Sequence, residues 1–187
     1  MDVAGATERC DMGEDMKGAC AMIRQLDGDI YDARPPELEG IEAALALSPA
    51  IWGVFGSTGI GAIDTPLMLA AGSLDTITPI DTNTTPIYEH MPEPKSLAMF
   101  GAAGHYAFSN FCDIPDIESL TKGVIAECSE DFVDHHLAMD ITAELSLAWF
   151  DAFLHDDWTA LDALTSEEIA TRWPDVLTWT VDAVAVP

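Results

Sequence analysis

Apolar residues recur at steps of three and four between positions 139 and 154. Ile141, Leu145, Ala148, Trp149, Ala152 and Phe153 share one face, and Leu147, Phe150 and Leu154 widen it. That spacing predicts a well-buried amphipathic helix. Three shorter runs have a different character: residues 41–47 (IEAALAL), 66–71 (PLMLAA) and 96–100 (SLAMF). Each is short, mostly apolar and closed by Ser-Pro or Gly, as expected of strands buried on both faces; the Ala and Leu of the first also allow helix.

Other segments read less strongly. Met16, Ala19, Cys20, Ile23 and Leu26 make one apolar face within a helix expected over residues 1–26. A loop with Pro35 and Pro36 follows to Gly40, and a glycine-rich stretch covers 52–62. Thr85-Pro86 has the form of an N-cap followed by proline at the first helical position, starting a short helix that stops before Pro92. A further helix is expected over 117–128. Thr165 with Glu168 forms a capping box for a last short helix ended by Trp173-Pro174. Short buried strands alternating with helices imply an α/β fold with a parallel sheet flanked by helices. The 187 residues are expected to form a single domain, with a core over about 40–156 and an acidic helical tail over 157–187.

The charge changes the list of partners. Against 33 Asp and Glu stand 7 Lys and Arg, a formal net charge of −26. Nucleic-acid and anionic-lipid surfaces are bound through cations, so neither partner is expected. Scattered acids of this kind favour solubility, including at high salt. They do not form a calcium loop of the EF-hand kind, which leaves a general cation-binding role as a weaker reading. No run reaches the length of a membrane span. The opening MDVAGATERCD is acidic and polar, unlike an export signal, so any such signal is expected outside this chain. Cys10 and Cys20, and Cys112 and Cys128, are two local pairs without C-x-x-C spacing. They suit either two short-loop disulfides of a secreted or periplasmic protein or four free thiols, and no zinc site. Asp151 and His155 at i,i+4 read as a surface pair, and His135-His136 as surface or capping residues. No metal and no cofactor are expected, and the glycine-rich 53–61 loop lacks both the P-loop lysine and the G-x-G-x-x-G spacing.

In parallel sheets, chemistry sits on loops beyond the carboxyl ends of the strands. Two loops carry unusual polar residues there. Gly72-Ser-Leu-Asp75 follows the second strand, and Gly101-Ala-Ala-Gly104-His105 follows the third. The two side chains are 30 residues apart in sequence, room for one crossover helix, so neighbouring strands would bring them together. A carboxylate on one ring nitrogen fixes the imidazole tautomer and leaves the other nitrogen free as a base. Trp52, Phe55, Tyr106 and Phe108 flank this place, either as walls of an acyl or alcohol pocket or as ordinary core.

The pair of segments PLMLAAGSLDTITP and SLAMFGAAGHYAF resembles the last third of α/β-hydrolases, most of all bacterial esterases related to dienelactone hydrolase and the platelet-activating-factor acetylhydrolases. The LSPA element before them and helix 139–154 behind them resemble the preceding strand and the closing helix of that fold. The resemblance covers about residues 40–156 and implies a carboxylic ester hydrolase with Asp75 as triad acid and His105 as general base, acting on a small ester. The family order is Ser, then acid, then His. Here the pattern departs from it: no G-x-S-x-G precedes Asp75, where the only serines are Ser48, Ser57 and Ser73. Ser57, in Phe55-Gly56-Ser57-Thr58-Gly59, is a weak candidate nucleophile. The expectation is that the nucleophile and the oxyanion-hole loop lie outside this chain. The alternative is a non-catalytic scaffold or subunit. In either case the sheet edge near 41–47 is expected to be covered by a second copy or a second chain.

Overall fold

A computed structural model describes residues 40–117 and 126–182. Four strands, β1 (Ala44–Leu47), β2 (Leu67–Gly72), β3 (Lys95–Phe100) and β4 (Leu177–Asp182), form one sheet in the order β1-β2-β3-β4. The first three are parallel, and β4 runs antiparallel to β3. Between them lie α1 (Trp52–Ile60), α2 (Thr84–His90), α3 (His135–His155), α4 (Thr159–Ala163) and α5 (Ser166–Arg172). The expected α/β architecture is therefore present, with helices against both faces of the sheet.

Alternation along the strands sorts the core into two layers. Met68 and Ala70 of β2, Ala98 and Phe100 of β3, and Leu177 and Trp179 of β4 pack against Ile141, Leu145, Ala148, Trp149 and Ala152 of α3. Leu67 and Leu69 point the other way, onto Ile60 of α1 and Ile87 of α2. All six residues of β2 are buried, as a central parallel strand covered on both faces requires. α3 buries Ile141, Leu145, Ala148, Trp149 and Ala152 of the apolar face read from the sequence. Leu147 and Leu154, expected to widen that face, are exposed, so the buried stripe is narrower than the pattern predicts. The ends of α3 are set locally: the Asp134 carboxylate accepts the His136 amide at 2.8 Å, and Asp156 closes the helix in the left-handed region at φ 55°.

Several expectations are corrected. Within the glycine-rich stretch, Trp52–Ile60 form a helix, broken at Gly56 (φ 57°), because burying Ile60 and half-burying Trp52 and Phe55 outweighs the helical cost of three glycines. The helix expected to start at Pro86 starts two residues earlier, at Thr84, and Thr85 does not cap it. The stretch beyond 157 is not a helical tail. Its two short helices lead into β4, whose alternating LTWTVD buries Leu177 and Trp179 and exposes Thr178 and Thr180. Leu161, Leu164 and Ile169 join the α3-side core, so this segment is part of the same unit. The Thr165 hydroxyl does cap α5, accepting the Glu168 amide at 3.1 Å, but the Thr165 amide bonds to Ala163 rather than to Glu168. The helix expected over 1–26 and most of that expected over 117–128 lie outside the described residues; 126–128 have no helical structure. Cys112 and Cys128 are joined in a disulfide. The pairing of Cys10 and Cys20 lies outside the described residues.

Leu145 has no exposed surface and sits mid-helix over the sheet. Leu145→Ala should lower the unfolding free energy by about 2–5 kcal/mol, the usual range for a buried leucine truncation, as read by urea denaturation.

Candidate functional site

The site is built by two loops that leave neighbouring strands at the same height. The β2–β3 register pairs Leu67 with Lys95 through Gly72 with Phe100, so both strands end level. The loops then lock together. Ser73 donates its amide to Phe100 O at 2.9 Å, Leu74 donates to Ala103 O at 2.8 Å, and the Ala102 amide donates to Ser73 Oγ at 2.9 Å. Gly72 is needed for this approach, because a Cβ there would collide with the backbone carbonyl of Ala103. The loop after β3 turns through Ala102 at φ 52° and enters a 3₁₀ turn at His105–Phe108.

Asp75 follows immediately. One carboxylate oxygen, Oδ1, accepts the backbone amides of Ile77 (2.8 Å) and Thr78 (2.7 Å), which closes a tight turn around the side chain. The other oxygen, Oδ2, faces His105 Nδ1 at 2.9 Å and accepts the Thr78 hydroxyl at 2.7 Å. Thr78 Oγ1 also lies 3.2 Å from His105 Nδ1 and 3.2 Å from the carbonyl oxygen of Ser48, at the end of β1. The Asp75 side chain is 1% exposed and that of His105 25%. A buried acid thus meets an imidazole that remains open to solvent. Burial pushes the Asp75 carboxyl up, but the Thr78 amide and hydroxyl and the His105 ring more than reverse this, and its pKa falls below the usual 3.8. The carboxylate is therefore ionised at neutral pH and can only accept. That places the imidazole proton on Nδ1 and leaves Nε2 as the basic nitrogen.

The structure brings Asp75 and His105 together, as their spacing predicts. It does not bring Ser57 to them: Ser57 is exposed on α1, and no hydrogen bond among the described residues links it to either. The aromatic residues divide. Tyr106 stands edge-on to His105 at 5.2 Å and stacks on Phe111 at 4.3 Å. Phe108 packs edge-to-face on Phe100 in the α3-side core. Trp52 and Phe55 pack on the opposite side with α2, the Trp52 ring 4.9 Å from His90. Asp151 and His155 form the expected exposed i,i+4 pair at 3.0 Å.

Three residues went unread in the sequence. Thr78 completes an Asp-x-x-Thr turn, a local pattern visible in the chain. Ser48 is buried at φ 43°, and its hydroxyl has no partner among the described residues; its role beside Thr78 depends on a contact 30 positions away. Glu127, next to the disulfide, accepts the Tyr106 amide at 2.8 Å and steadies the histidine turn. Compared with known protein families and with curated protein sequences, the chain matches none of them.

The lowered Asp75 pKa has a sign in stability. A carboxyl held below its unfolded value stabilises the fold above that unfolded value, and the stabilisation is lost as pH falls through the folded pKa. Wild type should therefore lose stability relative to Asp75→Asn as pH drops through and below 3.8, with the difference level at neutral pH. Denaturant titrations of both proteins across that range measure it.

Proposed function

We propose that this chain supplies the acid and the general base of a serine hydrolase acting on carboxylic esters. The observation that supports it best is the Asp75–His105 pair: an ionised, buried carboxylate on Nδ1 of a half-open imidazole, at the carboxyl rim of a parallel sheet. In this reading His105 Nε2 takes the proton of a serine hydroxyl as its oxygen attacks the ester carbonyl. The tetrahedral intermediate collapses with loss of the alcohol, which receives that proton, and leaves an acyl-serine. His105 then takes a proton from water, whose oxygen adds to the acyl carbon, and returns a proton to the departing serine. Asp75 orients the ring and stabilises the imidazolium; Thr78 positions Asp75. The reading assigns the serine to a segment or chain beyond these 187 residues, because they contain no G-x-S-x-G.

A second reading, a hydrolase-like scaffold that needs a partner, is favoured by the sheet edge. Among the described residues β1 pairs only with β2, and Ile41 and Leu47 beside that edge are exposed.

A fluorophosphonate probe separates these. In the protein expressed from its natural reading frame, the catalytic reading expects one labelled serine within G-x-S-x-G, no label after His105→Ala, and a fall in kcat of about 10⁴-fold for Asp75→Asn. Label on Ser48, Ser57 or Ser73 would contradict the external nucleophile. Absence of both label and His105-dependent ester turnover would overturn the hydrolase reading and leave the scaffold.

A further inference from the structure

A second cluster of chemistry-bearing side chains lies outside the Asp75–His105 pair. Asp113 ends the 3₁₀ turn Asn110–Asp113, directly after the disulfide-bonded Cys112. His135 and His136 begin α3. His135 Nε2 lies 3.0 Å from Asp113 Oδ1, and His136 Nε2 lies 3.5 Å from the same oxygen. The three potential ligand atoms all fall within 4.8 Å of one another. Consecutive residues of a helix point roughly 100° apart, yet both rings turn toward one carboxylate oxygen, with centroids 4.1 Å apart.

We propose that Asp113, His135 and His136 bind one Zn²⁺ ion. Zinc takes imidazole nitrogen and carboxylate oxygen at about 2.0–2.2 Å; tetrahedral geometry at those bond lengths separates neighbouring ligand atoms by roughly 3.3–3.5 Å. The two distances to Asp113 Oδ1 bracket that separation, and the two imidazole nitrogens, within 4.8 Å of each other, close on an ion by side-chain rotation. Two imidazoles with one carboxylate select a borderline transition metal over calcium, which takes oxygen ligands. Three protein ligands leave a fourth position for water. The frame is held independently of any ion. The disulfide anchors the residue before Asp113, and Asp134 fixes the first turn of α3 through the His136 amide. The net charge of −26 draws cations toward the surface.

The consequence is a clip. Tyr106, next to His105, stacks on Phe111, two residues before Asp113. An ion bridging Asp113 to α3 would tie this turn to the helix that covers the sheet. The role is structural, and it stands or falls separately from ester chemistry.

The test is calorimetric titration of the oxidised full chain with zinc chloride, paired with the visible absorption of its cobalt(II) form. One site of micromolar or tighter affinity is expected, with the intense d–d bands of tetrahedral nitrogen–oxygen coordination and a higher Tm when zinc is present. His135→Ala with His136→Ala should weaken binding by at least about 100-fold, since even outer-shell partners of a metal typically account for about 10–100-fold. His155→Ala, which alters a separate surface pair, should leave it unchanged. Circular dichroism checks that the double variant folds; should it not, Asp113→Asn with a retained helical spectrum carries the comparison. Millimolar binding, several equivalent weak sites, or full affinity in the ligand variants would overturn the proposal.

Discussion

The parallel register of β2 against β3 is the constraint from which the site follows. It ends both strands at one height, and the loops beyond them exchange three hydrogen bonds before Asp75 or His105 is reached. A slip of one residue would turn every side chain of a strand to the opposite face and carry its loop away from its neighbour. Both faces of β2 are buried, so such a slip has no alternative core to enter. The hydrophobic layers therefore hold the Asp75–His105 contact indirectly, through the pairing of the strands that carry it.

That arrangement resolves a conflict that burial creates. A carboxylate removed from water is costly unless it is fully hydrogen-bonded. Here four donors converge on Asp75: two backbone amides on one oxygen, a threonine hydroxyl and an imidazole N–H on the other. The charge is kept, and with it the tautomer of His105. The exposed edge of the imidazole is then the part of the pair available to a substrate or a partner. The same loop continues through Tyr106 and Phe111 into the disulfide and toward the start of α3, so the histidine turn is braced from two sides.

Much of this was legible in the chain, for identifiable reasons. The three parallel strands are short apolar runs, and α3 carries a period of three and four over four turns; burial on one side or both writes itself into such patterns. The acid and the histidine follow glycines at strand ends, where backbone approach demands small residues. What was missed depends on tertiary context. Glycines in α1 weaken the helical signal, and packing on the sheet overrides it. β4 carries a clear two-residue alternation that a helical reading of the acidic tail passed over. The aromatics near the site could not be assigned to a face without knowing which side each helix covers. Asp113 meets His135 at a sequence separation of 22, a contact that no local spacing encodes.

The central claim is that Asp75 holds His105 in the Nδ1-protonated form at the rim of the sheet. Nitrogen-15 NMR of the imidazole ring tests it directly at neutral pH. The account predicts a pyrrole-type Nδ1 bearing a strongly deshielded proton and a pyridine-type Nε2 for His105, with that proton signal shifted or lost in Asp75→Asn. A His105 ring protonated on Nε2, or one averaging freely between tautomers and indifferent to Asp75→Asn, would contradict it.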